Sequence, residues 1–121
     1  MNFIDIVING NFEEVKSIIN PSNINQQDEN NGFTALHYCA QNGYLQIAQL
    51  LIDNGADVNI KDKYGNTALF KAVFFSQGHT EIIELLLEAG ADPNSKNNSN
   101  VSPRELAENI ASFDVKSCFD K

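Results

Sequence analysis

The sequence predicts an all-α solenoid, a stack of helix–turn–helix units joined by projecting loops. Three observations predict it. Short motifs recur at spacings of 33 to 35 residues along the 121-residue chain. Each recurrence holds two apolar stretches with three- and four-residue steps, the period of a helix with one buried face. Glycine punctuates them, four times in an Asn-Gly pair, at Asn9-Gly10, Asn31-Gly32, Asn42-Gly43 and Asn54-Gly55. Asn-Gly is a strong short-range turn signal. Turns at a fixed period describe units too small to bury an apolar face alone, which gain a core by stacking.

Thr34-Ala35-Leu36 recurs 33 residues later as Thr67-Ala68-Leu69, and Ser102-Pro103 follows Thr67-Ala68 by 35. Gly10 precedes Gly43 by 33, while Gly43-Tyr44 precedes Gly78-His79 by 35. Gly55-Ala56-Asp57-Val58-Asn59 returns after 35 as Gly90-Ala91-Asp92-Pro93-Asn94. The period is therefore 33, with two residues inserted between Leu69 and Gly78. One domain over 1–121 results, with units near 1–26, 27–61, 62–96 and 97–121.

In the second unit, Ala35 to Ala40 forms a short apolar helix closed by Asn42-Gly43. A second helix follows, with Leu45, Ile47, Ala48, Leu50, Leu51 and Ile52, closed by Asn54-Gly55. The third unit repeats this with Ile82, Ile83, Leu85, Leu86 and Leu87 before Gly90. A glycine at such a helix end suits a left-handed C-cap. The polar run Asp57 to Gly65 reads as a turn or finger. Glu13 and Glu14 open the second helix of the first unit, where acids favour the helix dipole. The tail from Ser112 to Phe119 reads as a short helix closing over the last unit, with docking to a partner as the alternative.

Gly32-Phe33-Thr34-Ala35-Leu36-His37 through Gly55-Ala56-Asp57-Val58-Asn59 resembles the ankyrin repeat, whose pattern runs G-x-T-P-L-H, G-H, L-L-L, G-A-D-V-N. The third unit matches from Gly65 to Asn94. The first keeps Asn9 to Lys16 with Ile24-Asn25, and the fourth keeps Ser102 to Ala107, as degenerate caps would. The resemblance implies that Thr34 and His37 brace their own turn by hydrogen bonding. Phe70 stands where His37 would recur, so the third unit should lack that brace and substitute aromatic packing. Arg104 takes the place of Leu36 and Leu69, as expected where the stack meets water.

Sixteen acids against eight bases give a formal charge of −8. That argues against partners held by phosphate contacts, nucleic acid above all, and disfavours anionic membranes. No apolar run approaches the roughly 18 to 20 residues of a membrane span. With no basic leader before Asp5, a secretory signal is not expected either, and a cytoplasmic location is the expectation. Cys39 and Cys118 then read as reduced core thiols. His37 and His79 read as turn residues, with no nucleophile motif beside them and no metal-ligand spacing. Glu81, Glu84 and Glu88 read as a solvated helix face. No catalytic residue, cofactor or metal is expected, and the chain is expected to be a monomer on its own.

Binding is what is left. In ankyrin-like stacks the finger tips and the exposed side of each first helix line a concave face. Here those positions carry Asn31, Phe33, Tyr38, Gln41, Lys63, Tyr64, Asn66, Lys71, Phe74 and Phe75, with Ser76 and Gln77 in the insertion, then Ser99, Val101 and Glu108. Phe33, Tyr64 and Phe74 are the expected anchors, since exposed aromatics mark contact sites. Phe74 and Phe75 have the alternative of folding inward over the insertion, and Tyr38 that of joining the core. The expected function is protein binding that occludes a basic partner, such as a toxin or a nucleic-acid enzyme, as an inhibitor, immunity or antitoxin-like protein would. The alternative is a scaffold or adaptor bridging two proteins, as an effector would.

Overall fold

The computed structural model describes residues 2–110 and 112–120. Among these, all regular structure is helical: α1 (Phe3–Ile8), α2 (Phe12–Ile18), α3 (Ala35–Asn42), α4 (Leu45–Asp53), α5 (Ala68–Phe74), α6 (Glu81–Glu88), α7 (Pro103–Asn109) and α8 (Phe113–Ser117). Each even helix packs back on the odd helix before it. The odd helices α1, α3, α5 and α7 form an inner row, and α2, α4 and α6 an outer one. Helices this short are marginal alone, so their stability comes from stacking. The buried residues join in one cluster running from Phe3 and Val7 through Leu36, Leu51, Leu69, Ile83 and Leu86 to Val115 and Phe119.

Side-chain caps fix the helix starts. Asn2, Asn11 and Ser112 accept from the backbone N–H groups of Asp5, Glu14 and Val115. Thr34 and Ser102 begin reciprocal capping boxes with His37 and Glu105. Thr67 makes no such bond, and its buried hydroxyl has no hydrogen-bond partner among the described residues. Phe70 explains this, because a phenyl ring offers no acceptor where His37 offers an imidazole nitrogen. Gly43 ends α3 at φ +74°, the left-handed conformation that a side chain would strain.

The insertion leaves residues 75–80 between α5 and α6, against only Gly43 and Tyr44 between α3 and α4. It turns through Gln77 at φ +49° and Gly78 at φ +87°. Ser76, expected exposed, is buried, because the added turn folds back on α5 and bonds its amide to the Val73 carbonyl at 3.3 Å.

The projecting loops are built on a repeated carboxylate or amide. Asp28 Oδ1 accepts from the amides of Asn31 and Gly32 at 2.7 and 2.9 Å. Asp62 Oδ1 accepts from Tyr64 and Asn66 at 2.8 and 2.9 Å. Asn97 Oδ1 accepts from Ser99 and Val101 at 2.9 and 3.0 Å. Adjacent loops join through Lys63 N–H to the Asn31 carbonyl and Asn98 N–H to the Tyr64 carbonyl, at 2.9 and 3.0 Å. Gly65 permits that approach: a Cβ there would stand 2.8 Å from the Asn98 amide nitrogen.

A second ladder runs beside the first. Asn25 Oδ1 accepts the Asp57 amide, and Asn59 Oδ1 the Asp92 amide, each at 2.9 Å. At Asn94 the same oxygen accepts Arg104 Nε instead, at 3.0 Å, while Arg104 Nη1 donates to the Phe119 carbonyl at 2.7 Å. Arg104 is thus a tie between the last loop and the tail. In α8, Val115 is buried together with the following Cys118 and Phe119, but Phe113 is 80% exposed and does not join the closing contact.

Candidate partner-binding face

The inner helices and loops form one continuous face. At its centre the neutral His37 ring is held from both sides. The Asn66 carbonyl can only accept, so Nε2 carries the proton and donates to it at 2.8 Å. Nδ1 then accepts from the Thr34 amide at 3.0 Å and the Thr34 hydroxyl at 2.8 Å. Burial, outweighing the raising influence of the Asn66 carbonyl and Asp62, holds His37 below its ordinary value. This imidazole is a structural brace.

Phe33 lies beside it, and here the structure corrects the sequence reading. Phe33 is 8% exposed and is not a surface anchor. Its ring stacks on His37 with centroids 5.7 Å apart and meets Tyr38 edge-on at 5.3 Å. The Lys71 ammonium covers its outer side, 3.8 Å from the ring centroid, a close cation–π contact. Half-buried Tyr38 donates its hydroxyl to Asp28 Oδ2 at 2.6 Å. Burial and that bond push the Tyr38 phenol up to about 12. Burial also raises the Asp28 carboxyl, but the Tyr38 hydroxyl and the loop amides outweigh it and bring it below its ordinary value.

The other expected contact residues divide. Tyr64 is 54% exposed at a loop tip, its hydroxyl donating to Asn31 Oδ1 at 3.2 Å. Phe74 is 62% and Phe75 43% exposed, their rings edge to face at 5.0 Å, so neither folds inward over the insertion. Gln41 and Asn66 are half-buried and already bonded: Gln41 Oε1 accepts from Lys71 Nζ at 3.3 Å, and Asn66 Oδ1 from Asn97 Nδ2 at 2.8 Å. Lys71, half-buried, stands 33 residues after Tyr38 but does not repeat its role. Asp62 Oδ2, the counterpart of the oxygen that takes the Tyr38 hydroxyl, is buried with no hydrogen-bond partner among the described residues.

Two clefts open on the face. One, of about 460 Å³, lies at α1 among Asp5, Asp28, Glu29 and Tyr38. The other, of about 170 Å³, lies on α5 among Asn66, Phe70, Lys71, Phe74 and Phe75. Between them runs a row of contacts from Asp28 through Tyr38, Phe33 and Lys71 to Phe75 and Phe74. Phe70 was missed as a wall of the second cleft. Its spacing of four from Phe74 was a legible signal, since such residues share one side of a helix. Among the described residues no group of three or more His, Cys, Asp or Glu is placed to hold a metal ion. No helix among them is long and apolar enough to cross a membrane.

A family model for ankyrin repeats (3 copies) matches residues 3–97. Among curated proteins, the chain is 46% identical over 59 residues to the NAD-capped RNA hydrolase NUDT12 of Homo sapiens, covering 49% of this chain and 13% of that protein. It is 48% identical over 50 residues to an ankyrin repeat protein of Rickettsia felis, covering 39% of this chain and 22% of the other. With ankyrin repeat domain-containing protein 39 of Homo sapiens it shares 37% over 49 residues, 40% of this chain and 27% of that one. The chain thus spans well under a third of the length of each of these relatives.

Proposed function

The chain belongs to the ankyrin-repeat family, whose repeats are protein-interaction modules, and from that premise we propose that it grips a partner protein with its inner face. The observation that carries this reading is the exposure of Tyr64, Phe74 and Phe75, at 54, 62 and 43%. A stack that bound nothing would gain by polar residues at such positions, and aromatic side chains are enriched among binding hot spots. We read the module as one domain of four units, monomeric alone, acting in the cytoplasm and without a catalytic role. A preformed stack gives up little conformational entropy on docking, which suits occlusion of a working surface, as an inhibitor, immunity or antitoxin-like protein requires. The charge of −8 would draw a basic partner from a distance.

A second reading, an adaptor bridging two proteins, is favoured by one observation. Phe113 is 80% exposed on α8, and α8 packs on α7 at the far end of the stack. A second aromatic anchor there could engage a second protein.

The test is affinity capture from the source cells with the tagged full chain, comparing wild type with the triple variant Tyr64→Ala, Phe74→Ala, Phe75→Ala. One stoichiometric protein retained by wild type and lost by the variant is expected, its capture weakened by salt. Capture unaffected by the variant overturns the inner-face reading. Two proteins held at once, one of them lost on Phe113→Ala, identify an adaptor.

A further inference from the structure

The cleft on α5 has an unusual wall. Phe70, Phe74 and Phe75 supply apolar surface, Asn66 is already bonded to its neighbours, and Lys71 is its one charged residue. The Lys71 ammonium has three N–H donors. One reaches Gln41 Oε1 at a long 3.3 Å. Its other close neighbours are ring faces, with Phe33 at 3.8 Å and Phe75 at 5.7 Å from centroid to Nζ. Among the described residues the one ion pair joins Lys96 to Glu105, so no carboxylate lies within 4.0 Å of Lys71. Asp62, the acid that acts on it from farther off, is itself buried.

Lys71 is half-buried and still open to solvent at the cleft. A partner that covers Phe74 and Phe75 closes that opening. Covering the ammonium with apolar atoms alone would leave a desolvated, uncompensated charge, which opposes binding strongly. An occupant that fills the cleft must therefore bring both an apolar group for the rings and an acceptor, best an ionised one, for Nζ. We propose that this cleft is the specificity pocket of the inner face, and that it takes a partner segment setting an Asp or Glu carboxylate next to an aromatic or aliphatic side chain. The proposal rests on the inner face being the binding face. It assigns a contact chemistry opposite in sign to the long-range field of the molecule. The net acidity acts at a distance and steers, whereas Lys71 acts at contact and selects. Burial lowers the Lys71 ammonium from its ordinary value, as expected for a cation short of a counter-charge.

The experiment is selection of phage-displayed random dodecapeptides on the tagged full chain. Enriched peptides are then synthesised and titrated by fluorescence polarisation against wild type, Lys71→Met and Phe74→Ala. Enriched peptides are expected to carry Asp or Glu beside Phe, Leu or Ile. Lys71→Met should weaken them roughly ten-fold or more in a variant that still unfolds cooperatively, its own stability loss being read separately by thermal unfolding of the free protein. Replacing the peptide Asp by Asn should cost as much on wild type and nothing on Lys71→Met, the coupling expected of a direct pair. Peptides without a carboxylate, peptides uncoupled to Lys71, or no enrichment over the blank support overturn the proposal. Peptides weakened by Phe74→Ala but indifferent to Lys71→Met overturn the carboxylate and leave the inner face standing. Peptides indifferent to both variants sink both readings.

Discussion

His37 donates its Nε2–H to the carbonyl of Asn66, 29 residues further along, at 2.8 Å. Because Nδ1 is occupied by the Thr34 amide and hydroxyl, a second proton would face two donors. One neutral ring therefore closes the start of α3 and ties it to the loop ahead of α5.

That geometry makes stability depend on pH. Burial is the main cause that lowers His37 in the folded protein from the ordinary 6.5. The unfolded chain binds a proton at pH values where the folded chain does not, so stability is complete above about pH 6.5 and declines as the pH falls below it. Urea unfolding followed by circular dichroism should give a lower stability at about pH 5.5 than at about pH 7.5, with at most about 1.4 kcal/mol per pH unit from this one group. His37→Phe, which copies the Phe70 arrangement, should flatten that part of the profile. An undiminished slope in the variant would contradict the assignment.

The two threonine caps predict opposite responses to one substitution. Thr34 Oγ1 accepts the His37 amide and donates to Nδ1, whereas Thr67 Oγ1 is buried without a partner among the described residues. Thr34→Val should destabilise by about 1–2 kcal/mol. Thr67→Val removes an unsatisfied hydroxyl of the same shape and should be neutral within about 0.5 kcal/mol or mildly stabilising. Chemical denaturation of both variants decides this, and equal losses would refute it.

Phe33 and Phe74 are separated by burial, at 8 and 62% exposed. Phe33→Ala empties a packed site under Lys71 and should destabilise by about 3 kcal/mol. Phe74→Ala should shift stability by no more than about 0.5 kcal/mol, while a partner bound to the inner face should lose about 2 kcal/mol or more if Phe74 is a hot spot. Calorimetric unfolding and binding titrations separate the two effects. A large stability loss from Phe74→Ala would place its ring in the core.

The Tyr38–Asp28 pair predicts behaviour at both pH extremes. Tyr38 is raised from 10.0 to about 12 in the folded protein, by burial and then by its bond to Asp28. Its contribution is therefore complete below about pH 10 and lost as the pH rises toward 12. Asp28 is lowered on folding despite its burial, so its contribution is complete above about pH 4 and lost in acid. Asp28→Asn should weaken both dependences, and should bring the tyrosinate absorbance of Tyr38 in at lower pH. A Tyr38 titration that ignores the substitution contradicts the pair.

Repeat period and glycine punctuation were legible because they recur along the chain, whereas the His37 brace, which Phe70 does not repeat, was legible only through the resemblance of Gly32 to His37 to the ankyrin motif. The burial of Phe33 was not, since it depends on a lysine 38 residues later in sequence choosing the ring over solvent. Ser76 was misjudged for a related reason: an insertion shows in the alignment of units, but the direction in which it folds does not. The roles of Asp28, Asp62 and Asn97 were visible in principle, as polar residues just ahead of the loop tips at Gly32, Gly65 and Asn100. They passed for ordinary loop polarity because an Asx-type turn declares itself through backbone bonds. Phe113 satisfied the spacing of the tail helix, yet a five-residue helix has room on its buried side for only part of the apolar set.

Arg104 carries one more consequence. Asn25 and Asn59 each offer an oxygen to the backbone of the loop that follows, a template on which another loop can be laid. Asn94 is withheld from that use by Arg104 Nε. Elongation of the array beyond this point, by an extra unit or by the first unit of another molecule docking end to end, would first have to pull the guanidinium away from both Asn94 and the Phe119 carbonyl. Arg104 thus turns toward the tail an acceptor that Asn25 and Asn59 lend to the loop after them.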